Sequence, residues 1–155
     1  MREYVESLRR AGDLIEIDVP VEPRFELAAV TQRLQREGDQ AILFHSVRGA
    51  SMPVVTNVYG SRRRLCGIIG AEDGSFCRRW TELWPAAAGS QMPPTHVLSP
   101  APSRVSGSLA DLPWITYYEK DGGPYITSAL FLARHPDTGV ANLSFHRSQI
   151  ISPGE

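Results

Sequence analysis

The chain has 155 residues, of which 42% are hydrophobic and 21% charged, a balance typical of a globular domain that can bury a core. Its 16 basic and 17 acidic residues give a net charge of -1, so no overall field would attract nucleic acid or an anionic membrane. Five of the first ten residues are charged, and no apolar run reaches the about 18 residues of a membrane span. We therefore expect a soluble, cytoplasmic protein.

The first sixty residues alternate predicted helices and strands. A short helix over residues 2–11, ended by Gly12, precedes a strand over residues 14–17. A second helix is predicted after Pro23 and ends near Gly38, because apolar residues recur there at i, i+3 and i+7: Leu27, Val30 and Leu34. Two apolar runs, 41–44 and 54–58, then predict strands joined by a turn. This alternation is typical of an α/β domain.

Two further helices are predicted in the next segment. Ser61 could cap a helix that begins with three arginines, residues 62–64. Phe76, Trp80 and Trp84 recur every four residues, and we interpret this aromatic stripe as core rather than as a cofactor site. Arginines 62–64, 78 and 79 beside Trp80 also suggest nucleic-acid binding. The balanced charge favours a solvated helix face instead.

Residues outside regular elements carry weaker signals. Cys66 and Cys77 form no CxxC pattern, which indicates reduced, structural thiols. His45, His96 and His135 have no second ligand at helical or hairpin spacing, so each is interpreted as a surface or packed histidine. Residues 85–107 are rich in Pro, Ala, Ser and Gly, which predicts a connector and a subdomain boundary.

The clearest hairpin follows the connector. Two β-rich runs, 125–133 and 140–151, flank a turn at 135–139. Pairing Ala133 with Ala141 would set Thr127 opposite Arg147 and Phe131 opposite Leu143. A register error of one residue would still leave Thr127 near the end that carries Arg147.

Polar residues of the second strand form a candidate site. Alternation places Asn142, Ser144 and His146 on one face, and Leu143, Phe145 and Arg147 on the other. For Asn142 and Arg147 to serve one pocket, the strand must bend, bulge or end between them. The cluster offers an amide for a hard cation, a hydroxyl, and a guanidinium that can grip a carboxylate or phosphate. Polar residues on a strand face more often simply meet water.

Several motifs together resemble the UbiD family. They are Gly123-Pro-Tyr-Ile-Thr127, Pro136-Asp-Thr-Gly139 and the run Asn142-Leu-Ser-Phe-His-Arg147, with earlier matches at Glu26-Leu-Ala-Ala-Val30 and Gly60-Ser-Arg-Arg-Arg64. The resemblance covers nearly the whole chain in family order. It implies an α/β (α+β) N-terminal subdomain over 1–107, then, over 108–155, the first antiparallel strands of a split β-barrel, a flavin-reductase-like cofactor-binding domain.

The resemblance also implies a chemistry. UbiD-like enzymes are reversible, non-oxidative decarboxylases of aromatic or α,β-unsaturated acids, and they use prenylated FMN, a divalent ion that is usually manganese (Mn2+), and potassium (K+). By position, Arg147 would grip the substrate carboxylate, and Asn142 would ligate the divalent ion. Leu143 could offer its carbonyl to potassium, while the flavin would be lined by Thr127, Ser144, Phe145, His146 and Arg147.

The same resemblance places the other metal ligands and the proton-delivering glutamates beyond Glu155. We therefore expect a fragment, or one subunit, of a decarboxylase that is inactive alone and exposes an apolar sheet face. Expected partners are a small carboxylic acid, a flavin prenyltransferase that supplies the cofactor, and a second copy or second UbiD-like chain, with no nucleic acid and no membrane. The alternative is a non-catalytic flavin-binding or scaffold subunit. Acids of the N-terminal part, Glu16, Glu22, Glu26 and Glu37, are not expected near Arg147.

Overall fold

A computed structural model of the chain describes residues 1–88 and 108–153, with the side chains of 84–88 excepted. The helices are α1 (Arg2–Arg10), α2 (Glu26–Gln35), α3 (Arg62–Ile69) and α4 (Phe76–Ala88), and a short 3-10 helix spans Leu109–Asp111. The strands are β1 (Leu14–Ile17), β2 (Ala41–Phe44), β3 (Val54–Thr56), β4 (Tyr125–Arg134) and β5 (Ala141–Gln149). The predicted order of helices and strands is confirmed. Most of the expected connector, with His96, lies outside the described residues.

The N-terminal unit is built on a three-stranded mixed sheet. Strand β1 pairs parallel to β2, with Leu14 opposite Ala41, and β3 pairs antiparallel to β2. Helix α2 makes the crossover between the two parallel strands, as parallel pairs require. All four residues of β2 are buried, and the core around them includes Leu27 and Val47.

A buried ion pair fastens α3 to the start of β1. The side chain of Arg64 is 2% exposed and donates to the Asp13 carboxylate at 3.0 Å. It also donates to the carbonyl oxygens of Val58 (3.0 Å) and Asn57 (2.9 Å). The expected solvated face is therefore wrong for Arg64, and this arginine is not available to nucleic acid. Arg63, which pairs with the same Asp13 at 2.7 Å, is 70% exposed.

The two described residues of the aromatic stripe on α4, Phe76 and Trp80, are not part of the buried core. Phe76 and Trp80 stack with ring centroids 6.2 Å apart, but Trp80 is 50% exposed. Trp84 lies among the undescribed side chains. Cys66 is buried and Cys77 exposed, both as free thiols, so the structural role expected of the cysteines fits Cys66 only. No helix in the described ranges is long and apolar enough to cross a membrane.

Strands β4 and β5 form a separate antiparallel hairpin. Near the turn, Ala133 pairs with Asn142 and Phe131 with Ser144, so the predicted register was wrong there by one residue. The ladder then shifts between Ile126 and Ala129, which is a β-bulge. Two residues of β4, Thr127 and Ser128, lie opposite the single residue Arg147 of β5. The predicted proximity of Thr127 to Arg147 is therefore confirmed.

One face of the hairpin is apolar and open. Leu130 pairs with Phe145 and Leu132 with Leu143, and all four side chains are between 58% and 78% exposed. Cross-strand neighbours of this kind normally pack against a second layer. The exposed apolar sheet face expected from the sequence is therefore present.

The segment before β4 joins the hairpin to the N-terminal unit. Thr116 forms an isolated parallel β-bridge with Arg24. The Thr116 amide donates to the Pro23 carbonyl (3.2 Å), and the Thr116 carbonyl accepts from the Phe25 amide (2.9 Å). Phe25 has φ 70° and ψ -44°, and the Glu26 amide donates to the Arg24 carbonyl across it at 2.9 Å. This three-residue turn is strained for a residue with a side chain.

Candidate functional site

The bulge end of the hairpin opens into a cavity of about 400 Å³. Volumes of about 300–1,000 Å³ are typical of small-molecule sites. The walls combine aromatic rings with one guanidinium, one ammonium and one carboxylate. They are formed by Tyr117, Tyr118, Lys120, Asp121, Gly122, Tyr125, Thr127 and Arg147.

The bulge brings Thr127 into this cavity. Because the bulge inserts one extra residue into β4, it re-aims the side chains around it, and Thr127 lines the same wall as Arg147. The Thr127 hydroxyl lies 3.3 Å from the hydroxyl of Tyr117. A hydroxyl held in this way can still hydrogen-bond a ligand, since it has one proton and two lone pairs.

Arg147 is held over an aromatic ring. Its guanidinium carbon lies 5.8 Å from the centroid of the Tyr125 ring, a distance typical of a cation–π contact. Within residues 1–88 and 108–153, no carboxylate forms an ion pair with it. The fork of N–H donors is therefore free to bind a carboxylate or phosphate in a bidentate way.

A tight glycine turn closes the remaining side. Gln149 donates from Nε2 to the Gly122 carbonyl at 2.8 Å. Gly123 has φ 151°, and a Cβ there would lie 3.1 Å from the same Nε2, so a larger residue would disturb this contact. The Asp121 carboxylate accepts from the Tyr118 amide at 3.0 Å. Asp121 thus shapes the turn, which holds the walls of the cavity in place.

Asn142 lies away from this cavity. It lines a separate open depression at the turn end of the hairpin, with Ala133 and His135. It lies five positions before Arg147 along the extended strand, or about 17 Å away at about 3.4 Å per residue. The structure therefore does not bring Asn142 and Arg147 into one pocket. In the described part of the chain, no three His, Cys, Asp or Glu side chains cluster as a metal site.

The other predicted site residues divide between the two faces of β5. By strand alternation Leu143 and Phe145 share the face of Arg147, whereas Ser144 and His146 share the face of Asn142. The ring of His146 contacts Phe131 edge-on, with centroids 5.5 Å apart. His45 pairs with Glu16 at 2.7 Å, and His135 accepts from turn amides at 3.3 Å, so neither faces the cavity.

The N-terminal acids are engaged elsewhere, as expected. Glu16 pairs with Arg9, Glu22 with Arg48 and Glu37 with Arg33. The carboxylate of Glu26 accepts from the Glu22 amide. None of the four lines the cavity at Arg147.

Sequence reasoning missed six of the eight cavity residues: Tyr125 in β4, and five residues before that strand, which are Tyr117, Tyr118, Lys120, Asp121 and Gly122. These five fall in Tyr-Tyr-Glu-Lys-Asp-Gly-Gly, residues 117–123, directly before the strand that carries Thr127. A Gly-Gly turn after paired aromatics and before a strand was the available signal, because such a turn folds the aromatics back beside the strand.

Two family models together match most of the chain. The model described as 3-octaprenyl-4-hydroxybenzoate carboxy-lyase N-terminal domain matches residues 5–84. The model of the Rift-related domain of the same carboxy-lyase matches residues 96–155. The second match contains the whole hairpin and the cavity at Arg147.

Similar proteins agree with these models. Anhydromevalonate phosphate decarboxylase of Methanosarcina mazei is 32% identical over 150 residues, which are 97% of this chain and 33% of that protein. The UbiD-class enzyme HmfF from Pelotomaculum thermopropionicum, solved with FMN, superposes with a TM-score of 0.75 at 29% identity, over 98% of this chain and 34% of that one. Vanillic acid decarboxylase of Sedimentibacter hydroxybenzoicus, in its open form, gives 0.78 at 28% identity, over 98% and 34%. The chain spans about a third of the length of these relatives.

Proposed function

The chain belongs to the UbiD family, and we propose that it forms one side of the cofactor and substrate site of a decarboxylase. The substrate class is an aromatic or α,β-unsaturated carboxylic acid, and the cofactor is prenylated FMN. The observation that carries this proposal is the cavity in which Thr127 and an unpaired Arg147 meet tyrosine rings. Decarboxylases and an FMN-bound enzyme among the relatives support it.

The residues of the cavity fit a flavin and a carboxylate in chemical terms. Tyrosine faces can pack on a planar ring system, and the Thr127 hydroxyl can hydrogen-bond a ring heteroatom. The planar guanidinium of Arg147 can bind and orient the substrate carboxylate through two parallel N–H donors. Prenylated FMN, when bound, supplies the electron sink for the bond that breaks as carbon dioxide leaves.

The metal part of the proposal rests on fewer residues. Asn142 would supply one amide ligand to a divalent ion, expected to be manganese, and Leu143 one carbonyl to potassium. The described residues do not form a metal site by themselves, so the other ligands would come from other polypeptide. Replacing Asn142 by Ala should lower the bound manganese measured by elemental analysis, and an unchanged content would remove the residue from the ligand set.

The apolar face of the hairpin supports the split-barrel architecture. Leu130, Leu132, Leu143 and Phe145 present a continuous open surface, which further strands of a barrel would cover. We propose that such strands, in the same chain or in a partner, complete the cofactor domain. In this arrangement residues 1–107 form the first domain, and 108–155 begin the second.

The proposal is tested with the protein purified with every chain it carries, from cells that also contain a flavin prenyltransferase. We expect a bound modified flavin, and exchange of ¹³C-bicarbonate into the carboxyl group of at least one acid from an aromatic and α,β-unsaturated panel. Flavin binding without exchange or carbon dioxide release would favour the non-catalytic scaffold. Absence of any bound flavin would contradict both functions.

A further inference from the structure

Tyr117 connects the N-terminal core to the cavity. Its ring packs against the core cluster that contains Leu27, Phe44 and Ile115, while its hydroxyl lies 3.3 Å from the Thr127 hydroxyl at the cavity wall. We infer that Tyr117 is a positioning residue, which orients the Thr127 hydroxyl toward the flavin. This inference rests on the proposed function and adds a residue to it.

The two residues before Tyr117 form backbone hydrogen bonds to both the N-terminal unit and the hairpin. On one side, Thr116 exchanges hydrogen bonds with Pro23 and Phe25 of the N-terminal unit. On the other side, the buried Ile115 accepts from the amide of Tyr125, the first residue of β4, at 3.1 Å. These bonds fix the backbone beside Tyr117 relative to both parts, and its side chain packs against the core. A hydroxyl on such a ring can act as a fixed reference point.

Few other contacts orient the hydroxyl of Thr127 in the described part of the chain. It sits in the bulge, where the ladder bonds that would fix its backbone are interrupted, and its side chain is exposed. In the described residues, the Tyr117 hydroxyl is its one side-chain hydrogen-bond partner. A phenol is the more acidic of the two hydroxyls and is the better donor. If Tyr117 donates, the Thr127 proton is left to donate to a flavin oxygen or nitrogen.

The strained turn at Phe25 is consistent with a constrained junction. A non-glycine residue with this backbone geometry is strained, and such residues persist only where the surroundings hold them. Phe25 is held by the Thr116 carbonyl, and its ring lines a smaller cavity of about 170 Å³ with Tyr117 and Tyr118. The strain thus lies at the junction that places Tyr117.

The test is Tyr117→Phe, which removes the hydroxyl and keeps the ring, in the protein with all its chains. Loss of one hydrogen bond in the Tyr–Thr–flavin relay should weaken FMN binding about 3- to 10-fold and shift the visible absorption and circular dichroism of the bound flavin. Tyr59→Phe is the matched control, because Tyr59 is 61% exposed on the N-terminal unit. It should leave both readouts unchanged.

The double variant with Thr127→Val separates positioning from packing. If Tyr117 acts through Thr127, adding Tyr117→Phe to Thr127→Val should weaken FMN binding no further. Wild-type affinity and spectrum in Tyr117→Phe would overturn the inference alone, whereas no FMN binding by the wild type would overturn the proposed function with it. Should Tyr117→Phe not fold, an unchanged flavin spectrum in Thr127→Val overturns the inference equally.

Discussion

The two sheets of this chain use similar residues in opposite ways. In the N-terminal sheet, β2 reads Ala-Ile-Leu-Phe and every residue is buried. In the hairpin, β4 contains Ala-Leu-Phe-Leu, residues 129–132, and three of these four side chains are more than 40% exposed. An apolar strand sequence thus predicts that the strand is buried, but it does not identify the layer that packs against it. The first sheet is covered by its own core, whereas the second leaves an apolar face open in the described part of the chain.

The largest effect on stability is expected in the N-terminal unit, at Arg64. Replacing Arg64 by Met leaves the Asp13 carboxylate buried with only Arg63 as its partner, which should cost about 3–5 kcal/mol of unfolding free energy. Arg63→Met is the matched control, since it removes an exposed partner of the same carboxylate. It should cost less than about 1 kcal/mol. Urea denaturation measures both, and equal losses would contradict the structural role of Arg64.

A second prediction sets function against stability within the hairpin. Arg147→Ala should lower kcat/KM for decarboxylation by about 100-fold or more, because the donors that grip the substrate carboxylate are lost. Some flavin should stay bound, since the proposed role of Arg147 is directed at the substrate carboxylate. The melting temperature should change little, since within the described residues this side chain makes no ion pair. Arg78→Ala, an exposed arginine on α4, is the control. Undiminished turnover in Arg147→Ala would remove the residue from the site.

A matched pair of leucines measures the difference between the sheets directly. Leu27 is 1% exposed, so Leu27→Ala should cost about 2–5 kcal/mol. Leu132 is 67% exposed, so Leu132→Ala in the 155-residue chain should cost under about 0.5 kcal/mol. In a protein whose other strands cover the hairpin, the cost at Leu132 should rise toward the value at Leu27. A cost at Leu132 that is small in both forms would mean that nothing covers this face.

The smallest expected effect concerns acid stability of the N-terminal unit. The Arg9 guanidinium, and then His45, lower the pKa of Glu16 from 4.5 to about 2. Since the folded pKa is below the unfolded one, the stabilisation is present above about pH 4.5 and is lost as the pH falls toward 2. Glu16→Gln should flatten the dependence of the unfolding free energy on pH over this window. At pH 7 to 8 the unfolding free energy of the variant should equal its own value at pH 5. Urea midpoints against pH, at low and high salt, provide the check.

Local patterns in the sequence predicted the elements well. The strands at 14–17 and 41–44 have the expected bounds, because short apolar runs between glycines and polar turns leave few alternatives. Ser61 caps α3 as predicted, with its hydroxyl accepting from the Arg64 amide. The hairpin was also clear, since its turn residues stand between two β-rich runs.

Features that depend on distant contacts were not predictable. Three consecutive arginines look alike in sequence, and only the position of Asp13, fifty-one residues before Arg64, decides that this one is buried. The hairpin register failed near the turn because Arg134 pairs with Ala141, so the loop spans 135–140 and is one residue longer than the predicted turn. Thr127 and Ser128, which form the bulge that restores the predicted register, carry no glycine to mark it. The partnership of Tyr117 with Thr127 depends on how the turn at Gly122 and Gly123 folds back. The roles assigned to all the predicted site residues stay predictions; these are Thr127, Asn142, Leu143, Ser144, Phe145, His146 and Arg147.

The open face of the hairpin also affects the time course of folding. Its strands are joined by a short turn, and hairpins of this kind close in about 1–10 μs, whereas pairing β1 with β2 requires the whole α2 crossover. The surface of Leu130, Leu132, Leu143 and Phe145 can therefore form before anything reaches it. Exposed apolar surface of this kind favours chaperone binding and aggregation during synthesis. If further strands cover this face, as proposed, the yield of soluble protein should depend on how soon those strands are made.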